Sequence, residues 1–437
     1  MHSRTRRPLA VATLMLLAVA CATTLGASKA AAASQHVTTK VKKISACGAV
    51  ITKAGTYELT KSVTDSGSDC IILAASNVTL YLDSHTITGT GTDACIAVTG
   101  SGSYSVKDTV FGGTMPNPRA KTKVKPKPAK LTNCGTGLTI AATSGTTASY
   151  LTIVAPGNAG VLGEQVVGAS VSHINVPMHA ANPGAGFAFQ GGADNVVMDS
   201  TVNYDGSGYA FYAVNETGDT FLRDTVNDPY NSAGGPGTGF YDHQSARDTW
   251  SHCTSSGQYD GFYLGPLEYG PVTLTYDTAT GSSANAASFG FEIAGAFQFT
   301  DSASPFHTLV SHNKATGFGV GFEDQNAGIP GTPSAEKWID NTADNYSGVG
   351  FLISYPPDYT MTGNIADANT SGKKYTSGDT YGFVLVDVSS AFPFALFANN
   401  QAYDSKYGFY SAGLGVGGKG NIAKRNQINS VGVEITG

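Results

Sequence analysis

Through the second half of the chain, apolar and polar positions alternate in short bursts, each opening with a Gly and an aromatic residue. The bursts read "GFAFQ" at Gly186, "GYAFY" at Gly208, "GFYDH" at Gly239, "GFYLG" at Gly261 and "GFEIA" at Gly290. They return as "GFEDQ" at Gly321, "GFLIS" at Gly350, "GFVLV" at Gly382, "GFYSA" at Gly408 and, weakly, "GVEIT" at Gly432. The steps between them run from 22 to 32 residues, a period that belongs to stacked repeats. Within a burst the period is two. In "GFAFQ", Phe187 and Phe189 share one face and Ala188 and Gln190 the other, which predicts a strand of four or five residues. Each repeat leaves room for two more short strands, and the runs 195–199, 220–224, 272–277 and 336–340 fit that role.

No helical period follows the first residues. Hairpin turns are scarce, because the Asp-Gly pairs of "YDGSG" and "YDGF" sit at repeat boundaries. Each strand is therefore expected to pair in parallel with its equivalent one repeat later, about 4.8 Å away. The predicted fold is all-β: a single right-handed parallel β-helix, a solenoid of roughly 14 coils and on the order of 65–70 Å long. In this reading the Gly is the corner into the strand, and the aromatic points inward onto its counterparts. A second column reads Asp199, Asp224, His252, Asp277, Asn313, Asn341, Asn364, Asn400 and Asn426. Stacked side chains of this kind satisfy backbone groups at a bend, so the column is expected to be structural.

Composition agrees with many short strands. Charged residues are 13 % of the chain, and Gly reaches 54. Residues 1–33 read as a secretory signal peptide, with Arg4, Arg6 and Arg7, then "PLAVATLMLLAVA" and an Ala-x-Ala site. Arg6-Arg7 also admits a twin-arginine route, and Cys21 a lipoprotein site, both weaker fits. The β-helix domain is then 34–437, with early coils at 47–112, a basic Pro-rich insertion at 113–132 and the main repeats at 133–437. Export makes the protein extracellular, with no membrane attachment after cleavage, and permits disulfides. Cys47–Cys70 and Cys95–Cys134 are the expected pairs; Cys70–Cys95, about one repeat apart, competes. Cys253 reads as a small buried hydrophobe.

The stretch 47–92, with "GTYELT", "CIIL" and "NVTLYLDSHTITG", resembles the opening coils of the pectin-lyase-like superfamily. That resemblance implies the right-handed parallel β-helix over nearly the whole mature chain. It leaves activity open among lyases, hydrolases, epimerases and non-catalytic surface proteins. The blocks of polygalacturonases, pectate lyases and pectin esterases do not occur. "TGFYDH" (238–243) is similar to a mannuronan epimerase stretch: His243 matches, but Thr238 stands where a Tyr is expected, and Tyr241 and Asp242 replace Asp-Pro.

Alternation picks out an outward ribbon. Its first column is expected to hold Ala188, Ala210, Tyr241, Tyr263, Glu292, Glu323, Leu352, Val384 and Tyr410. Its second holds Gln190, Tyr212, His243, Gly265, Ala294, Gln325, Ser354 and Val386. The titratable centre yields four catalytic candidates, Glu292, Glu323, His243 and Tyr241. Four more residues, Tyr212, Tyr263, Gln190 and Gln325, would bind substrate, with sugar lying on aromatic faces. Two carboxyls on neighbouring rungs would stand about 5–6 Å apart, near the separation used by retaining glycosidases. The alternative is a solvated polar face. No cofactor is required; calcium is the optional one, with Glu323 and Asp324 as ligands.

Residues 131–437 carry 10 Lys+Arg against 26 Asp+Glu. Such a body repels nucleic acid and anionic polymer, which favours hydrolysis of a neutral or weakly charged polysaccharide. A lyase or uronate epimerase, with calcium as the neutraliser, is the alternative, and a wall-binding surface protein without activity a third. The basic stretch 116–130 reads as a mobile loop or a foothold on anionic wall polymer.

Overall fold

A computed structural model describes residues 40–65, 67–100, 108–114, 126–178, 184–204, 208–228, 237–265, 271–281, 288–294, 308–325, 336–354, 359–369, 379–386, 396–412, 416, 418–433 and 435. The segment 1–33, expected to be a signal peptide, and most of the expected basic insertion lie outside these residues. A strand at Ala129–Thr132 ends that insertion earlier than the expected boundary. Among the described residues every regular element is a strand.

The strands form two parallel sheets, here sheet I with 15 strands and sheet II with 26. Each strand of sheet I pairs with its equivalent in the next winding, as Tyr263 does with Glu292 and Glu292 with Glu323. The chain is thus a right-handed parallel β-helix, with one sheet I strand per coil. Fifteen such strands replace the roughly fourteen coils expected. Sheet II holds two strands per coil, separated by a bend. At Ser170–Pro177 the two run together as one strand bent at His173, whose φ is 54°.

Like stacks on like inside. Phe187, Phe211, Phe240, Phe262, Phe291, Phe322, Phe351, Phe383 and Phe409 form an unbroken column with ring centroids 4.6 to 4.9 Å apart. Each is almost wholly buried, so each contributes about 1.5–3 kcal/mol of burial besides its stacking. The preceding Gly is required for a different reason from the corner expected. Gly and Phe are both buried, and a Cβ on Gly290 would lie 2.5 Å from the Ala315 Cβ across the interior. The Gly column lets the opposite wall close.

The polar column at the sheet II bend is buried too. Backbone N–H groups of Asp277, Asn313, Asn341, Asn364 and Asn400 donate to the side-chain oxygens of Asn313, Asn341, Asn364, Asn400 and Asn421, at 2.8 to 3.1 Å. Asp199, His252 and Asn426 are not in it. The first two sit one residue early, at left-handed positions (φ 52° and 56°) on the outer corner. Ser200 and Cys253 occupy the column instead, donating to Asp224 and Asp277. Asn426 accepts from Ser405 at another bend.

Cys47 bonds Cys70 and Cys95 bonds Cys134. Cys253 is free and buried.

Two interior acid pairs recur, each with one indole donor, which reaches the sheet I acid in the first pair and its partner in the second. Asp242, on a sheet I strand, accepts from the Trp250 indole at 3.4 Å and lies against Asp248. Asp324, three rungs on, accepts from Tyr359, and its neighbour Glu336 accepts from the Trp338 indole at 3.2 Å. Asp219 and Glu216 face the first pair. Burial raises the pKa of Asp242, Asp248 and Glu336, and the neighbouring carboxylates raise Asp248 and Glu336 further.

Asn364→Ala removes an acceptor for both the backbone and the side-chain N–H of Asn341. It should cost about 2–4 kcal/mol in urea unfolding; a loss under about 1 kcal/mol would mean the ladder is not what holds the bend. The interior acids give a second expectation. A raised folded-state pKa supplies stability that is complete below the unfolded value, about 4, and is lost as pH climbs through the folded value. Urea midpoints should therefore fall from about pH 6 to about pH 9, and Asp248→Asn should flatten that fall. Equal slopes in the two proteins would contradict it.

Candidate functional site

Sheet I turns three outward positions per strand to its outer face: the residue before the Gly, the one after the Phe, and the one two further on. The middle column reads Ala188, Tyr212, Tyr241, Tyr263, Glu292, Glu323, Leu352, Val384 and Tyr410, each paired with the next. Tyr212 therefore stands in this column and not beside His243, whose partner is Val214. Ala210 is buried with the glycines. In "GYAFY" the inward aromatic is Phe211, and the Gly208 that suggested the register lies two residues early.

Glu292 and Glu323 lie side by side as expected, and they are recessed, with 9 % and 7 % of their surface exposed. A third carboxyl joins them. Asp260 opens the neighbouring strand in the outward column before the Gly, paired with Thr238 and Phe289. Its Oδ2 lies 3.5 Å from the Thr238 hydroxyl. Gln325 donates to the Glu292 Oε1 at 3.4 Å. Asp260 Oδ1 and Glu323 Oε2 are buried with no hydrogen-bond partner in the described structure.

Burial, then the charges of Asp260 and Glu323, push the Glu292 pKa up to about 8. Burial raises Asp260 to about 7 against its hydrogen bonds from Phe289 and Thr238, and Glu323 adds to the rise. Burial also raises Glu323, though Gln325 opposes it. Three carboxyls thus share a site with fewer than three charges at neutral pH.

On the N-terminal side stands a tyrosine stack. Tyr212 to Tyr241 is 5.4 Å and Tyr241 to Tyr263 is 5.1 Å, with rings within 19° of parallel. Tyr209 leans on Tyr241 at 4.3 Å. These rings cover one another's faces, so they offer edges and hydroxyls to a ligand, contrary to the sugar-on-face contact expected. His243 stands beyond Tyr241, two rungs from Glu292. Burial lowers its pKa, and its Nδ1 is buried without a partner. Gly265 is needed beside it, because a Cβ there would meet Nδ1 at 2.6 Å. Gln190 is four rungs from Glu292, roughly 19 Å, and does not join the acid centre.

The pair named for calcium does not converge. Asp324 is fully buried with the Tyr359 hydroxyl on it, while Glu323 faces out. Consecutive strand residues point to opposite faces. Among the described residues no three His, Cys, Asp or Glu side chains are grouped to hold a metal.

Asp260 and Thr238 are the functional candidates that sequence reasoning missed. "YDGF" looked like a turn at a repeat boundary. The available signal was position: Asp260 precedes the Gly as Thr238 and Phe289 do.

No protein-family model and no curated protein matches the chain. Among solved structures, the chain is similar to the endo-xylogalacturonan hydrolase of Aspergillus tubingensis, at 13 % identity over 81 % of this chain and 97 % of that one, TM-score 0.39. It is similar to the mannuronan C-5 epimerase A-module of Azotobacter vinelandii, at 12 % identity over 88 % and 90 %, TM-score 0.34. Similarity also extends to the enzymatically active domain of tailspike protein 2 of bacteriophage CBA120, at 13 % identity over 75 % of this chain, TM-score 0.32. The chain spans 43 % of that tailspike chain. The parallel β-helix stands on the chain's own strand pairing, and it is the fold that the resemblance to the pectin-lyase-like superfamily implied.

Proposed function

We propose that this protein is an exported glycoside hydrolase acting on an uncharged polysaccharide, with Glu292 as general acid and Glu323 as its partner carboxylate. The observation that carries the reading is the in-register pair of recessed carboxyls, in which burial and neighbouring charge push the Glu292 pKa up to about 8. A glycosidase needs that asymmetry: one carboxyl gives its proton to the leaving oxygen, and the other meets the anomeric carbon or activates water. Adjacent rungs put the two about 4.8 Å apart in the backbone, closer to the retaining than to the inverting separation. Asp260 holds the Glu292 proton in place by its nearby charge. Tyr241, Tyr263, Tyr212 and Gln325 would hold sugar hydroxyls along the ribbon.

Charge supports a neutral substrate. The three outward columns from Ala185 to Gln325 contain no Lys or Arg. Arg223 and Lys314 are engaged with Asp199 and Asp344 at sheet II. Export is supported by the disulfides, which persist in oxidising compartments.

One observation favours a second reading. A neutral His243 with a free Nδ1 beside Tyr241 is the kind of base that a polysaccharide lyase or uronate epimerase uses. The third reading, glycan binding without chemistry, predicts that none of the acids matters to turnover.

Glu292→Gln and Glu323→Gln should each lower kcat by about 10²–10⁴ with KM little changed, read as reducing ends released from a polysaccharide panel. The product anomer, followed by NMR, should be retained. An unsaturated, ultraviolet-absorbing product would instead mean a lyase, and binding without either signal would remove both cleavage readings. Activity should fall as pH rises through about 8, where Glu292 loses its proton. Asp260→Asn removes a charge that raises that pKa, so the alkaline limb should move to lower pH. A limb that stays in place would remove Asp260 from the mechanism.

A further inference from the structure

Beyond Glu323 the same ribbon changes character. The middle column continues with Leu352, Val384, Tyr410 and Val431, and the column before the Gly with Val349, Tyr381, Tyr407 and Ile428. None of these residues carries a charge, over four successive rungs and roughly 15–20 Å. Ile428 and Val431 are 38 % and 39 % exposed.

Ring geometry here differs from that of the tyrosines near the acids. Tyr381 and Tyr407 stack at 4.8 Å and 8°. Tyr410 meets both edge-on, at 71° and 67°. Its neighbours within its own column are the aliphatic Val384 and Val431. A ring stacked between rungs has both faces used. A ring turned by about 70° from that plane, with no aromatic above or below it in its column, keeps a face for a ligand running along the ribbon. Lys406 lies over the Tyr407 ring and is paired with Asp379, so the cation at the margin is already engaged.

We propose that Tyr381, Tyr407 and Tyr410 form a second glycan platform, which takes the same uncharged polymer farther along its length than the acid centre. The inference rests on the reading of sheet I as a polysaccharide-binding face. Its specific support is continuity: the column that carries Glu292 and Glu323 runs without a break to Tyr410, and the column that carries Asp260 to Tyr381 and Tyr407. An apolar, uncharged ring surface with hydroxyl edges suits the C–H faces of neutral sugars and offers no counter-charge to an anionic one. The chain would then grip substrate by shape at one end and perform chemistry two to four rungs away.

The full-length protein can be tested for retention on insoluble cellulose, xylan, mannan and starch, with Tyr407→Ala/Tyr410→Ala and Tyr410→Leu as variants. The Leu variant keeps apolar bulk and guards against misfolding, and thermal melting of each confirms the fold. The double variant should bind about tenfold more weakly to whichever polymer the native protein retains. It should lose the same factor when placed in a Glu292→Gln/Glu323→Gln background, where no cleavage can intervene. Unchanged retention with cleavage intact would overturn the platform and leave the acid centre standing. Weakened retention in a protein that cleaves nothing would keep the platform and remove the hydrolase. Retention of none of the four polymers would also overturn it. So would a native dimer that Tyr407→Ala/Tyr410→Ala converts to monomer without altering retention, because the face would then belong to a second copy of the chain.

Discussion

In-register parallel pairing at one strand spacing is the constraint from which the rest of the molecule follows. It places every side chain about 4.8 Å from its equivalents above and below, so each column must tolerate its own chemistry repeated. Phe on Phe gains stacking, and the 4.6–4.9 Å centroid separations match the rung spacing. Asn on Asn gains a hydrogen bond per rung, because the amide both donates and accepts. Glu on Glu gains nothing and must be neutralised. The rule that stabilises the interior therefore destabilises the outward pair Glu292–Glu323, and the raised pKa of Glu292 expresses that conflict.

The fold was legible in the sequence because the Gly-aromatic pair repeats once per coil and strand alternation has a fixed period. The site was legible only in part. Glu292 follows a single "GF"; before Glu323, "ATGFGVGFED" offers Gly317 as well as Gly321 as the corner, and strand pairing selects Gly321. Tyr212 falls in the wrong column by sequence, because "GYAFY" contains three aromatics and the true inward one, Phe211, follows an Ala that does the work of the Gly. The polar column slipped by one at Asp199 and His252 for a related reason: the left-handed corner residue and the buried residue after it are both polar or small, and sequence spacing does not separate them. Asp260 was lost to the usual meaning of Asp-Gly. Its role depends on what lies across one rung, which no local window contains.

Burial of acids is not confined to the outer face. Asp242 with Asp248, and Asp324 with Glu336, put paired acids under the rungs that bear His243 and Glu323. Each pair is served by an indole donor and lacks a facing cation among the groups that shift it. Two carboxyls in a dry interior are tolerable when they share a proton, since one then donates to the other and only one charge is desolvated. A Trp stands two residues after both Asp248 and Glu336, and its indole serves Asp242 in the first pair and Glu336 in the second.

These interior pairs also bear on how the outer site keeps its geometry. Asp324 is the next residue after Glu323, and Asp242 lies between Tyr241 and His243. Consecutive strand residues share a backbone whose tilt fixes both side chains at once. Anchoring Asp324 through Tyr359, and Asp242 through Trp250, therefore fixes from inside the strands that present Glu323, Tyr241 and His243 outside. A crowded carboxylate site needs such anchoring more than an ordinary surface does, because repulsion would otherwise be relieved by movement and not by protonation. A rigid strand leaves protonation as the only release, and a held proton is what a general acid requires.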